Sequence, residues 1–208
     1  MKIDDLLAQG GLPIVAILRG VETSEAVAVA EALVEAGIRI IEVPFNSPDP
    51  VGSIGAMAQA LGDRAAIGGG TVTSAVLARA LAEAGGSFMV SPNVHRETLA
   101  EAQSLGLDLV PGFLTPTEAF AAVEAGAADL KLFPGSVLGS GYVKAIREVL
   151  PRHVRIWAVG GVGADNVSEW RAAGVFGIGV GGGLFRPGDD VATVAQRARA
   201  LVAAWGDV

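Results

Sequence analysis

The chain has no cysteine and only two histidines, His95 and His153, in 208 residues. Without thiols, disulfides and thiolate metal sites are excluded, and two histidines cannot build a His-rich metal centre; a carboxylate-held Mg²⁺ stays open. Basic residues are scarce too: 15 Lys and Arg against 22 Asp and Glu leave a net charge of −7. Nucleic acid and anionic membrane surfaces are poor partners for such a chain, because both bind through surplus positive charge. Long apolar runs are missing. Ala, Val and Gly supply the hydropathy in short pieces broken by charges, none near the ~20 residues of a membrane span. The stretch from Met1 to Leu7 carries Asp4 and Asp5 and lacks the apolar core of a signal peptide. The expectation is a soluble, cytoplasmic protein with one domain, 1–208, large enough to bury a core without staples.

What is present is a regular alternation of short apolar runs with Ala-rich segments of helical period. The runs predict strands at Ile14 to Arg19, Ile38 to Phe45, Ala65 to Gly69, Phe88 to Ser91, Asp108 to Pro111, Asp129 to Phe133, Arg155 to Val159 and Gly177 to Val180. Segments such as Ser24 to Ala36 and Thr117 to Ala125 read as helices, with Gly37, Gly85, Gly106, Gly126 and Gly174 as their C-terminal caps. Strands that are apolar throughout, rather than at alternate residues, belong to a parallel sheet covered by helices. Eight such units in ~200 residues favour an α/β fold, a closed single-domain (β/α)8 TIM barrel near its lower size limit. A doubly wound open sheet has the same periodicity and is the alternative.

Two charged residues interrupt these apolar strands. Lys131 lies within Ala128-Asp129-Leu130-Lys131-Leu132-Phe133-Pro134, and Glu42 within Ile40-Ile41-Glu42-Val43. Burial disfavours an ammonium and lowers its pKa, which leaves a neutral amine able to attack a ketone and form a Schiff base. That chemistry needs a group to carry protons through carbinolamine, imine and enamine, and a partly buried carboxylate suits the role. The bland alternatives are a lysine on the polar face of a half-exposed strand and a structural Lys–Glu ion pair.

The C-terminal ends of barrel strands line the active site, and the other candidates fall there. Gly160-Gly161 and Gly181-Gly182-Gly183 follow the seventh and eighth strands, where barrels commonly bind phosphate through backbone N–H groups and a following helix N-terminus. Each glycine pair alone also reads as a tight turn. Arg19 suits a substrate anion or a surface salt bridge, and Thr71 a substrate carboxylate or the N-cap of the next helix. His95 reads as a rim or structural residue. His153 reads as a surface residue at the opposite end.

Taken in order, Ala16-Ile17-Leu18-Arg19-Gly20, Ile41-Glu42-Val43-Pro44, Gly68-Gly69-Gly70-Thr71-Val72, Ser91-Pro92-Asn93, Lys131-Leu132-Phe133-Pro134 and Val159-Gly160-Gly161 resemble the bacterial 2-keto-3-deoxy-6-phosphogluconate and 2-keto-3-deoxy-6-phosphogalactonate aldolases. The likeness spans essentially the whole chain. It implies a class I aldolase on a (β/α)8 barrel in which Lys131 forms the Schiff base and Glu42 is the general acid/base. It places Thr71 against the pyruvyl portion of the substrate and Gly160, Gly161, Gly181 and Gly182 on its phosphate, with Asn46, Pro92 and Phe133 as further site candidates. It also implies a homotrimer, a phosphorylated keto-deoxy sugar acid as partner, and neither metal nor cofactor.

Three departures from the patterns usual in the family carry information. Asn46 stands where gluconate-type enzymes usually have an arginine, which makes Arg19 the better carboxylate ligand. Val159 stands in place of a threonine, and this, with the runs Pro44 to Pro48 and Ser91 to His95, resembles the galactonate branch. Gly182 stands in place of a phosphate-binding serine and removes one hydroxyl contact. The reaction expected from the resemblance is retro-aldol cleavage of 2-keto-3-deoxy-6-phosphogalactonate to pyruvate and glyceraldehyde 3-phosphate. The competing readings are the gluconate epimer as substrate, a non-covalent phosphosugar isomerase or epimerase, and a non-catalytic phosphosugar-binding protein.

Overall fold

A computed structural model describes residues 1–206. Nine parallel strand segments run β1 Ile14–Ile17, β2 Ile40–Pro44, β3 Ala66–Gly70, β4 Phe88–Val90, β5 Asp108–Val110, β6 Gly112–Phe113, β7 Asp129–Leu132, β8 Arg155–Val159 and β9 Gly177–Val180. The helices are α1 Ile3–Ala8, α2 Thr23–Glu35, α3 Pro50–Leu61, α4 Ala75–Glu83, α5 Arg96–Ser104, α6 Pro116–Glu124, α7 Gly135–Arg147, α8 Val167–Ala172 and α9 Val191–Gly206.

Hydrogen-bonded neighbours follow the order β5-β4-β3-β2-β1-β9-β8-β7-β6. The two ends of that order are one stretch of chain, since only Pro111 separates β5 from β6. β5 pairs with β4, Asp108 opposite Phe88, and β6 pairs with β7, Gly112 opposite Lys131. The Lys131 N–H donates to the Pro111 carbonyl at 2.9 Å. The ring therefore closes through a stave that a proline, having no N–H to give, divides in two. This is the barrel rather than the open sheet, and the fifth strand continues past Pro111, where the sequence suggested it would stop.

Strand parity sorts the side chains. Val15, Ile17, Ile40, Ala66, Phe88, Val90, Trp157 and Val159 fill the barrel interior, while Ile14, Ala16, Ile41, Val43, Leu130, Leu132, Ile156 and Ala158 face the helices. The helix expected over Ser24 to Ala36 is α2, started by a capping box between Glu22 and Glu25. Gly37 ends it at φ 100°, a left-handed conformation that glycine adopts without strain. Gly85, Gly106, Gly126 and Gly174 repeat that ending, as their spacing suggested.

Helix α1 has no counterpart in the expected elements. Its Ile3 and Leu6 are buried against the inward side chains of the barrel and plug the N-terminal mouth, each burial contributing roughly 2 kcal/mol. Lys2 pairs with Asp108 at 3.2 Å, and Arg155 reaches Asp4 at 2.6 Å while also holding Asp129, so the plug is tied down by charge as well as packing.

Candidate active site

A cleft of about 310 Å³ opens at the C-terminal ends of β1, β7, β8 and β9. Arg19, Lys131, Phe133 and Val159 supply its side-chain walls, and Gly160, Gly161, Gly181 and Gly182 its backbone walls. A second cleft, of about 220 Å³, lies beside the N-terminal plug, but its charged residues Asp4, Asp108, Asp129 and Arg155 are already engaged in holding α1 and β8 together. The first cleft is therefore the candidate site.

Lys131 is 6 % exposed, with its Nζ 4.5 Å from the centre of the Phe133 ring. Burial pushes its pKa below the ordinary lysine value; the negative charge of Glu42 opposes the shift, and the positive charge of Arg19 adds to it. Glu42, on β2, is 2 % exposed. Burial raises its pKa, against the opposing charges of Lys131 and Arg19. The two groups sense each other without forming an ion pair, and Glu42 Oε2 is buried with no hydrogen-bond partner among the described residues. Lys131 is thus no polar-face lysine, and the Lys–Glu salt bridge weighed as a structural reading is not formed.

The run Gly68-Gly69-Gly70 is explained by what surrounds it. A Cβ at residue 68 would lie 2.5 Å from the Phe88 ring, and one at residue 70 would lie 1.5 Å from Glu42 Oε2. These glycines make room for the barrel core and for the catalytic candidate, a role the sequence reading missed. The available signal was glycine inside a strand, which marks a close approach by another group. Thr71 follows at φ 57°, the one non-glycine residue in the left-handed region among those described. A β-branched residue there is strained, which is characteristic of functional positions. The N-cap duty weighed for Thr71 falls instead to Ser74, whose hydroxyl accepts from Leu77 N–H at 3.3 Å.

Arg19 is exposed at the rim, and its Nη1 donates to Asn46 Oδ1. Asn46 and Pro92 do not line the cleft. Pro92 packs its backbone against Gly112, where a Cβ would come within 2.5 Å, so it shapes the stave beside Lys131. Gly160 and Gly161 turn at φ 92° and 77°, and Ser136 N–H donates to the Gly160 carbonyl at 2.9 Å. The helix N-terminus expected after each glycine turn is found only in part. α8 follows Gly161 through the Asn166 turn, whereas Gly181 begins a single turn closed by Leu184 and Phe185 N–H groups, and α9 starts only at Val191. His95 precedes α5 with Nδ1 2.8 Å from Thr98 Oγ1, and His153 is exposed in the loop before β8, as expected of a rim and a surface residue.

Residues 3–196 match the family described as KDPG and KHG aldolase. A 2-dehydro-3-deoxy-6-phosphogalactonate aldolase of Escherichia coli (strain K12) is 45% identical over 197 residues, 95% of this chain and 96% of its own. A probable 2-dehydro-3-deoxy-6-phosphogalactonate aldolase of Rhizobium meliloti (strain 1021) is 45% identical over 196 residues, 94% and 92% of the two chains. The solved structure described as native KDPGal superposes with a TM-score of 0.93 at 44% identity, covering 94% of this chain and 95% of that one.

Proposed function

The chain belongs to the KDPG and KHG aldolase family and is an aldehyde-lyase, and from that premise we propose that it cleaves 2-keto-3-deoxy-6-phosphogalactonate to pyruvate and glyceraldehyde 3-phosphate through a Schiff base on Lys131. The observation that carries the reading is the placement of Lys131 and Glu42. Both are buried inside the same end of one barrel, unpaired with each other, with pKa values moved toward each other by burial.

In the proposed cycle the neutral Lys131 amine attacks the C2 ketone, and loss of water gives the imine. Removal of the C4 hydroxyl proton then breaks C3–C4, and the imine takes up the electron pair as an enamine. Glu42 carries these protons, directly or through water, and returns one to C3 before hydrolysis releases pyruvate. The orphaned Glu42 Oε2 supports this role, since a buried acceptor without a partner costs about 1–3 kcal/mol unless a ligand or water completes it. Arg19 and Thr71 take the substrate carboxylate, and the turns at Gly160-Gly161 and Gly181-Gly182 take the phosphate. Val159, a wall without a hydroxyl, favours the galactonate epimer. The homotrimer rests on the family resemblance, with the exposed apolar side chains Phe120 and Val137 on α6 and α7 as candidate contacts, and we place the enzyme in the cytoplasm.

Borohydride reduction in the presence of pyruvate, followed by intact mass and peptide mapping, tests the covalent step. One adduct per chain on Lys131 is expected, lost in Lys131→Ala with the fold retained. An adduct that persists in that variant places the Schiff base elsewhere. Cleavage assays with both epimers test the substrate, and a wild-type preference for the gluconate epimer overturns the galactonate assignment. Light scattering at about 63 kDa, three times the 21.0 kDa chain, is expected of the trimer.

A further inference from the structure

We propose that Asn46 is a positioning residue, which holds the Arg19 guanidinium at the rim of the cleft with its remaining N–H groups free for the substrate carboxylate. The inference rests on the carboxylate role given to Arg19 above.

Arg19 is exposed and lies two residues beyond the end of β1, so the sheet does not fix its side chain. Asn46 does: its Oδ1 accepts from Arg19 Nη1, one of five guanidinium donors. An arginine held before the substrate arrives loses less rotamer freedom on binding. Asn46 is itself held. Beside it the buried Ser47 accepts from Gly20 N–H at 3.0 Å through Oγ, and its own N–H donates to the Pro44 carbonyl at 2.9 Å. Residues 19 and 20, after β1, are thus joined to residues 46 and 47, after β2, by two adjacent hydrogen bonds. The loop before α9 closes against the same point, for a Cβ at Gly20 would lie 2.8 Å from Pro187 Cγ.

The chemistry at position 46 is specific. An amide oxygen accepts a hydrogen bond without adding charge, so Arg19 keeps its full charge for the ligand. A carboxylate there would pair with Arg19 and neutralise it, and an arginine would place a second cation beside it.

Pyruvate has the carboxylate and ketone of the substrate but no phosphate, so borohydride trapping with pyruvate isolates this end of the site. Asn46→Ala is expected to raise the half-saturating pyruvate concentration by about 2- to 10-fold, with one adduct per chain still reached at saturation and with competition by inorganic phosphate in the cleavage reaction unchanged. Asn46→Gln, which keeps the acceptor, should recover part of the loss. Asn46→Asp should lose at least as much as Asn46→Ala. An unchanged half-saturation in Asn46→Ala, or equal weakening of pyruvate and phosphate, overturns the role of Asn46 alone. A wild-type chain that forms no pyruvate adduct overturns the Schiff-base reading and this inference with it.

Discussion

The Glu42 carboxylate occupies the space above the bare α-carbon of Gly70: a Cβ there would lie 1.5 Å from Glu42 Oε2. Sheet register sets Glu42 of β2 opposite Gly68 of β3, and the carboxylate reaches diagonally to Gly70, two residues further along that strand. Gly70→Ala should therefore displace the carboxylate without touching its chemistry. The expected result is a fall in kcat approaching that of Glu42→Gln, itself roughly 10²-fold or more, with the pyruvate adduct still trappable in both. If Gly70→Ala retains wild-type kcat, the carboxylate has more freedom than this packing allows.

The opposed shifts of Lys131 and Glu42 predict a signed pH dependence. In the proposed cycle Lys131 must be neutral to attack, and its lowered pKa carries the neutral form below the ordinary lysine value of 10.5. The midpoint for adduct formation should lie below that value. Arg19→Gln removes a like charge and should move the midpoint up, whereas Glu42→Gln removes the attracting charge and should move it down. Stopped-flow adduct kinetics across pH would read these shifts, and movement in the reverse directions would reject the electrostatic account.

The same two groups set a stability cost. Lys131, with its folded pKa depressed, makes stability rise with pH between that pKa and 10.5; Glu42, with its folded pKa raised, contributes stability present below 4.5 and lost as pH rises through the folded value. Near neutrality both charged forms are therefore penalised. The double variant Lys131→Met with Glu42→Gln removes both buried charges and should show a higher Tm at pH 7. A lower Tm would show that the two residues stabilise the barrel despite the burial of their charges.

At the proposed phosphate end, a side chain at Gly161 is blocked by Ser136 and by φ 77°, but Gly182 is open, with Arg186 Nε at 4.0 Å as its nearest neighbour. Gly182→Ser should fit and supply a hydroxyl, lowering KM for the phosphorylated substrate by about 2- to 10-fold. Gly182→Asp should raise it, with pyruvate trapping unchanged in both. Equal effects on phosphorylated substrate and on pyruvate would remove the phosphate from this turn.

Val159 points into the cleft and packs on Gly179, where a Cβ would lie 2.8 Å from Val159 Cγ2. Threonine has the same shape and adds one hydroxyl. Val159→Thr should shift the ratio of kcat/KM toward the gluconate epimer by roughly 2- to 10-fold, the worth of one hydrogen bond, without abolishing galactonate cleavage. A shift the other way would separate epimer choice from this wall.

The barrel and the burial of Lys131 and Glu42 within its strands were legible in the chain alone. Period, strand apolarity and the recurring cap glycines are local properties, and a charged residue inside an apolar strand is anomalous wherever the strand lies. Motif order then placed the pair in a family. What tertiary structure alone decided were relations between residues distant in sequence: closure of the ring through Pro111, the plug formed by α1, the fit of Glu42 over Gly70, and the hold of Asn46 on Arg19. A short helix such as α1 has too few turns to declare its period, and a glycine's reason lies in the side chain that fills its space. Such facts exist only once strand register brings the partners together.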